Sequence, residues 1–176
     1  MLVKLKKLHP SAKTPRYAKP GDAAFDIFAT EAHFSGKTCE LATGWSCEVP
    51  RGYGLFVFSR SGHGFKHGMR LANCVGVIDS GYRGEVKVKL TLDGDSWGGL
   101  DTDVAVAQGV VLPIEQAEFL EVEELSETER GTGGFGSTSV VKNCSTCKNG
   151  DCEYYAEPCA SCDAGRSGLY QNWEQK

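Results

Sequence analysis

No apolar run in these 176 residues approaches the roughly 20 needed to cross a bilayer. The opening stretch, MLVKLKKLHP, has no apolar segment of secretory length. A soluble, cytoplasmic protein is expected, with no membrane partner. Basic charge is not in excess either. The formal net charge is −4, which argues against a dominant patch for direct nucleic-acid binding. A small anion remains an acceptable ligand, because a few arginines and backbone N–H groups hold a phosphate locally. Long helical patterns are scarce, and there is no internal repeat of solenoid spacing. His63 and His67 stand four apart, but no third ligand or HExxH-type glutamate accompanies them.

Glycine, by contrast, is abundant, at 22 residues, against an average usage of about 7%. With few helical patterns, that richness suits turns and close backbone approaches in an all-β domain. Strands are expected over residues 2–8, 24–29, 53–58, 71–78, 85–90, 104–114 and 117–125. One or two helical turns fit His63 to Gly68. Asp79-Ser80-Gly81-Tyr82-Arg83-Gly84 reads as a hairpin-like turn between two strands, and 93–103 as a Gly- and Asp-rich loop. Short strands at close spacing suggest a jelly roll or sandwich-like barrel.

Three constellations bear chemistry. Phe58-Ser59-Arg60-Ser61-Gly62 closes an apolar strand. A guanidinium fork, a hydroxyl and a glycine there suit a phosphate, although the same residues also make ordinary turns. In Gly76-Val77-Ile78-Asp79-Ser80-Gly81-Tyr82-Arg83-Gly84-Glu85, a carboxylate directly follows an apolar strand. It can polarise a water, and the Tyr82 ring can pack against a flat ligand; a plain turn is the alternative. Arg130-Gly131-Thr132-Gly133-Gly134-Phe135-Gly136-Ser137-Thr138 combines exposed backbone donors, hydroxyls, an arginine and an aromatic ring. A flexible linker needs neither the arginine nor the phenylalanine.

In order, these segments resemble the five signature motifs of the trimeric dUTPase family. The first motif resembles Asp22 to Ile27, the second Ser59 to Gly62 with Lys66-His67-Gly68, and the third Gly76 to Glu85. Ala107-Gln108 before Val110 to Pro113 resembles the fourth, and Arg130 to Thr138 the fifth. One departure is that Ala105 stands where the family usually carries an arginine.

The resemblance implies a jelly-roll-like all-β domain over residues 1–125 and a glycine-rich active-site arm over 126–139. It implies a homotrimer with shared active sites and hydrolysis of dUTP at the α-phosphorus. Asp79 would activate water and hold the 3′-hydroxyl, Tyr82 would pack under the deoxyribose, and Asn73, Val77 and Ile78 would read uracil. Arg60, Ser61, Gly62 and Gln108 would hold the α- and β-phosphates, and Asp26 would sit near the waters of Mg²⁺ carried on the triphosphate. Arg130, Gly136, Ser137 and Thr138 would hold the γ-phosphate while Phe135 caps the base. A dCTP deaminase of the same fold shares the arginine–serine motif but needs a glutamate placed for deamination. A regulatory or binding protein on this scaffold is the other alternative.

The family usually ends near its fifth motif, whereas this chain runs on for 37 residues past Ser139. That stretch holds five of the eight cysteines: Cys144, Cys147, Cys152, Cys159 and Cys162. Two CxxC pairs, Cys144/Cys147 and Cys159/Cys162, lie eleven residues apart. They suit a tetrahedral Zn²⁺ site in a small Cys-rich module over 140–176, one that binds a protein partner or steadies the tail. Free thiols and a disulfide knot are the rival readings.

Overall fold

The computed structural model describes residues 1–134, and its contacts divide the chain into units Met1–Glu118 and Phe119–Lys176. The first unit is built from ten short strands and one helix. Strands β1 (Lys4–Lys7) and β5 (Trp45–Glu48) form a two-stranded ribbon. A second sheet runs β2 (Phe25–Ile27), β10 (Ala107–Pro113), β6 (Tyr53–Phe58), β8 (Gly76–Ile78). The third runs β3 (Glu31–Ser35), β4 (Thr38–Ala42), β9 (Lys87–Leu92), β7 (Met69–Leu71). Every pairing is antiparallel. This is the expected all-β architecture with one short helical segment.

The core lies where the inner faces meet. Ile27, Leu41, Trp45, Leu55, Leu71, Val88, Leu90 and Val106 are all nearly inaccessible to solvent. Strand β9 shows how sequence sets the face: Lys87 and Lys89 are exposed while Val88 and Leu90 are buried. Opposite them, Val88 meets Leu41 and Leu90 meets Cys39, while Lys89 meets Glu40 on the outer face in a 2.8 Å ion pair. A one-residue slip would turn both lysines into the core, so the register is strongly held.

Several boundaries differ from the sequence expectation. The run 71–78 is not one strand. It breaks at Ala72–Val75, where Cys74 has φ 62°, and its halves join different sheets. The segment Asp79–Gly84 is therefore no hairpin: β8 pairs with β6, whereas β9 pairs with β4 and β7, so it crosses between sheets. Strands β3, β4 and β5 were not anticipated. The expected strand over 117–125 is absent: no strand occurs from Ile114 to Gly134. A strand needs a ladder partner, and within one chain none pairs with this segment.

Helix α1 (Ser61–His67) makes about two turns, as expected, but begins two residues before His63. It ends at Gly68, whose αL conformation (φ 66°) lets its N–H donate to the Gly64 carbonyl. The loop 93–99 presses against this corner. A Cβ on Gly68 would lie 2.8 Å from the Gly94 nitrogen, and the His67 ring lies against Gly98 and Gly99. His67 thus serves packing. Among the described residues, no three metal-ligating side chains gather anywhere, and no helix is long and apolar enough to cross a membrane.

Candidate active site

Two groups of site residues form on the first unit. The first surrounds a cavity of about 690 Å³ that opens between the second and third sheets. Asn73, Val77, Ile78, Asp79 and Tyr82 line it, as five of the expected residues should. The turn that carries Asp79 and Tyr82 is closed by its own backbone. The Tyr82 N–H donates to the Asp79 carbonyl at 3.1 Å, and Arg83 Nη1 donates to the carbonyls of Ser80 (2.7 Å) and Tyr82 (2.8 Å). The Tyr82 hydroxyl donates to the Glu85 carbonyl at 3.0 Å. Asp79 itself is exposed at the end of β8, open to a ligand.

Some of this support was not foreseen. Glu85 Oε1 accepts from the Gly44 N–H at 2.9 Å, tying the end of the crossing segment to the turn between β4 and β5. Glu40, Lys87 and Lys89 add a charged rim to the cavity. Glu85 ends the third motif, but its partner is 41 residues away, and nothing local announces it.

The second group sits where β2, β10 and β6 run side by side. Gln108 is opposite Asp26 on one flank and Phe58 on the other. Its Nε2 donates to Asp26 Oδ1 at 3.5 Å, and Arg60 Nε lies 3.9 Å from the same oxygen. Arg60 Nη1 donates to the Ala105 carbonyl at 2.7 Å. The usual arginine is missing at Ala105, yet the main chain there orients the guanidinium through an atom every residue possesses. The two serines around Arg60 divide the work. Ser59 Oγ accepts from the Leu71 N–H at 2.9 Å and fastens the loop to β7, while Ser61 and Gly62 are exposed.

Beneath this corner lies His63, only 6% exposed, with Nδ1 lacking any hydrogen-bond partner among the described residues. Burial above all, then the positive Arg60 and His67, pushes its pKa below the ordinary histidine value. It therefore packs as a neutral ring under the arginine.

The two groups do not meet in one chain. Gln108 pairs with Phe58 and Ile78 with Leu55, on opposite flanks of β6. Three residues along the strand and two ladder spacings across put them roughly 14 Å apart.

In the second unit, Arg130 Nε donates to the Gly133 carbonyl at 2.9 Å, and the arginine is exposed. Phe135, Gly136, Ser137 and Thr138 lie outside the described residues, as do Cys144, Cys147, Cys159 and Cys162 with the proposed zinc site.

Known proteins resemble this chain over most of its length. A family model described as dUTPase matches residues 10–139. The deoxyuridine 5′-triphosphate nucleotidohydrolase of Nautilia profundicola is 43% identical over 140 residues, covering 78% of this chain and 99% of that protein. The enzyme of the same name from Thermobifida fusca is 41% identical over 148 residues, covering 77% and 78%. Among solved structures, a variant dUTPase of Staphylococcus bacteriophage 80alpha with dUpNHpp aligns with a TM-score of 0.70 at 25% identity. It covers 79% of this chain and 99% of its own.

Proposed function

Because the chain belongs to the dUTPase family, we propose that it hydrolyses dUTP to dUMP and pyrophosphate, keeping uracil out of DNA and supplying dUMP. The observation that carries this is the cavity itself, lined by Asn73, Val77, Ile78, Asp79 and Tyr82 around the end of one strand. It joins apolar walls, an amide, a carboxylate and an aromatic ring, which suits a flat base attached to a sugar.

In the reaction, the oxygen of a water forms a bond to the α-phosphorus while the bond from that phosphorus to the bridging oxygen breaks. Pyrophosphate leaves, and Asp79 takes the water's proton. Asn73 and the backbone of Val77 and Ile78 read uracil, and Tyr82 underlies the deoxyribose. Arg60, Ser61 and Gly62 hold the α- and β-phosphates with Gln108, which also helps to place the water. Arg130, Gly136, Ser137 and Thr138 hold the γ-phosphate, and Phe135 caps the base. Most of the rate would come from positioning and charge stabilisation.

The residues present fit Mg²⁺ carried by the substrate. Asp26 offers a hard carboxylate oxygen beside Arg60, and a single such group suits an ion that keeps several waters and binds mainly to phosphates. When bound, Mg²⁺ supplies neutralisation of the phosphate charge; Asp26 would hold its waters.

Two observations support a homotrimer. The phosphate-side group and the base-side cavity are too far apart on one chain to share one substrate comfortably. The segment after β10 also has no ladder partner and exposes Ile114, Phe119, Leu120 and Leu125. Neighbouring copies would cover that segment and complete each site.

For the tail, a Cys₄ zinc knuckle from Cys144, Cys147, Cys159 and Cys162 rests on the CxxC spacing alone. Elemental analysis of chelator-free protein should give about one zinc per chain, lost in Cys159→Ser with hydrolysis retained. Metal-free protein with an ordered tail ends that idea.

Pyrophosphate release is the decisive assay, with dUTP, dCTP and UTP each supplied with and without Mg²⁺. Release from dUTP is expected. Its absence, or deamination of dCTP instead, overturns the proposal.

A further inference from the structure

We propose that Gly84 sets the preference for deoxyribose over ribose, because it is the seat on which the Tyr82 phenol rests. The proposal deepens the dUTPase reading above and depends on it for the substrate. Gly84 is not among the glycines with positive φ, so its backbone is one that any L-residue can adopt. What a side chain there would meet is the Tyr82 phenol, which would have to move. A Cβ there would overlap the Tyr82 hydroxyl oxygen and lie 2.5 Å from Cζ and 2.9 Å from Cε2. The missing methyl is thus a requirement of space, set by one neighbour.

The ring is half exposed, but it is tied at two points. Its hydroxyl is tethered to the Glu85 carbonyl at 3.0 Å. The backbone of its own turn is pinned by the Tyr82 N–H to the Asp79 carbonyl and by Arg83 to Ser80 and Tyr82. Glu85, the next residue after the seat, is fastened to Gly44. Tyr82 is therefore met at its hydroxyl end by Gly84 and Glu85 and at its root by Arg83, and it lines the cavity. The height of that ring fixes how much room is left at the sugar's 2′ position. Gly84 is a positioning residue: it touches no substrate, and acts through the tyrosine.

The test compares kcat/KM for dUTP and UTP in wild type, Gly84→Ala, Tyr82→Ala and the double variant. Wild type should prefer dUTP. In Gly84→Ala the added methyl displaces the ring, and the dUTP-to-UTP ratio should narrow by about tenfold or more, the scale on which a pocket reads one small group. In the double variant the clash partner is gone, so its ratio should match Tyr82→Ala. A Gly84→Ala ratio within about twofold of wild type overturns the proposal, since a purely structural loss lowers both substrates alike. A double variant whose ratio departs from that of Tyr82→Ala also overturns it.

If Gly84→Ala does not fold, thermal melting decides. Adding Tyr82→Ala should restore the transition, and failure to restore it overturns the proposal. A wild type that leaves dUTP intact sinks the dUTPase reading instead. The melting comparison still reports on the Gly84–Tyr82 contact in that event.

Discussion

Asp79 and His63 show how differently two titratable side chains are used. Asp79 is exposed at a strand end and faces the cavity. Replacing it with asparagine keeps size and hydrogen-bonding shape but removes the base. We expect Asp79→Asn to bind dUTP and to lose about 10²–10⁴-fold in kcat, read by equilibrium binding beside steady-state turnover. A variant retaining more than about a tenth of the wild-type rate would remove Asp79 from the role of base. His63 is buried with an unpartnered Nδ1, and burial with the nearby Arg60 and His67 lowers its pKa. As pH falls, the unfolded chain takes up this proton before the folded one does. The stabilisation from the neutral ring is therefore complete above about pH 6.5 and is lost as pH drops toward the depressed folded value. Melting temperatures measured between pH 7 and 5 should fall more steeply in wild type than in His63→Leu. Equal slopes would show that the ring takes up its proton as readily in the folded protein as in the unfolded chain.

Among the elements, β10 carries the most. Its Gly109, buried and next to Gln108 in sequence, is paired with Phe25 of β2. A Cβ there would overlap the Phe25 ring and lie 3.2 Å from Ile27 Cδ1. Gly109→Ala should cost about 1–3 kcal/mol through overpacking, measured by denaturant unfolding. It should also weaken phosphate binding by pushing β2, and Asp26 with it, from Gln108. An unchanged midpoint would mean that the sheet yields freely there. Elements such as β6 were plain in the sequence because YGLFVF is an unbroken apolar run with β-rich residues. Strands β4 and β5 were not, since TCELA and WSCE mix polar residues and cysteine into short runs. Their burial comes from partners far along the chain. The crossing segment misled for a physical reason as well: Asp, Ser and Gly favour a turn, but do not say whether the strands around it pair with each other. The chemistry-bearing types were legible at Asp79, Tyr82, Arg60 and Gln108. The devices that aim them, the Ala105 carbonyl and the bare Cα of Gly84, are backbone features with no side-chain signature.

At the scale of the molecule, the arm and the oligomer are tested together. Cutting after Leu125 removes Arg130 and the residues to Thr138, a stretch too polar to contribute to a core. We expect the shortened chain to stay folded and trimeric and to be nearly inactive. Analytical ultracentrifugation of the full chain should give about 57 kDa for three copies of 19.0 kDa. Full activity without the arm would rule out its closing role, and loss of the trimer would make it structural. One feature of the second sheet also bears on how the molecule comes into being. Its last strand in chain order, β10, lies in the middle, with β2 on one side and β6 on the other. During synthesis the amino-terminal strands must wait, unpaired on that side, until residue 113 has left the ribosome. Pairings of such long range also make folding slow. The same late strand delivers Gln108 beside Asp26, so a nascent chain assembles that corner only in the step that closes its fold.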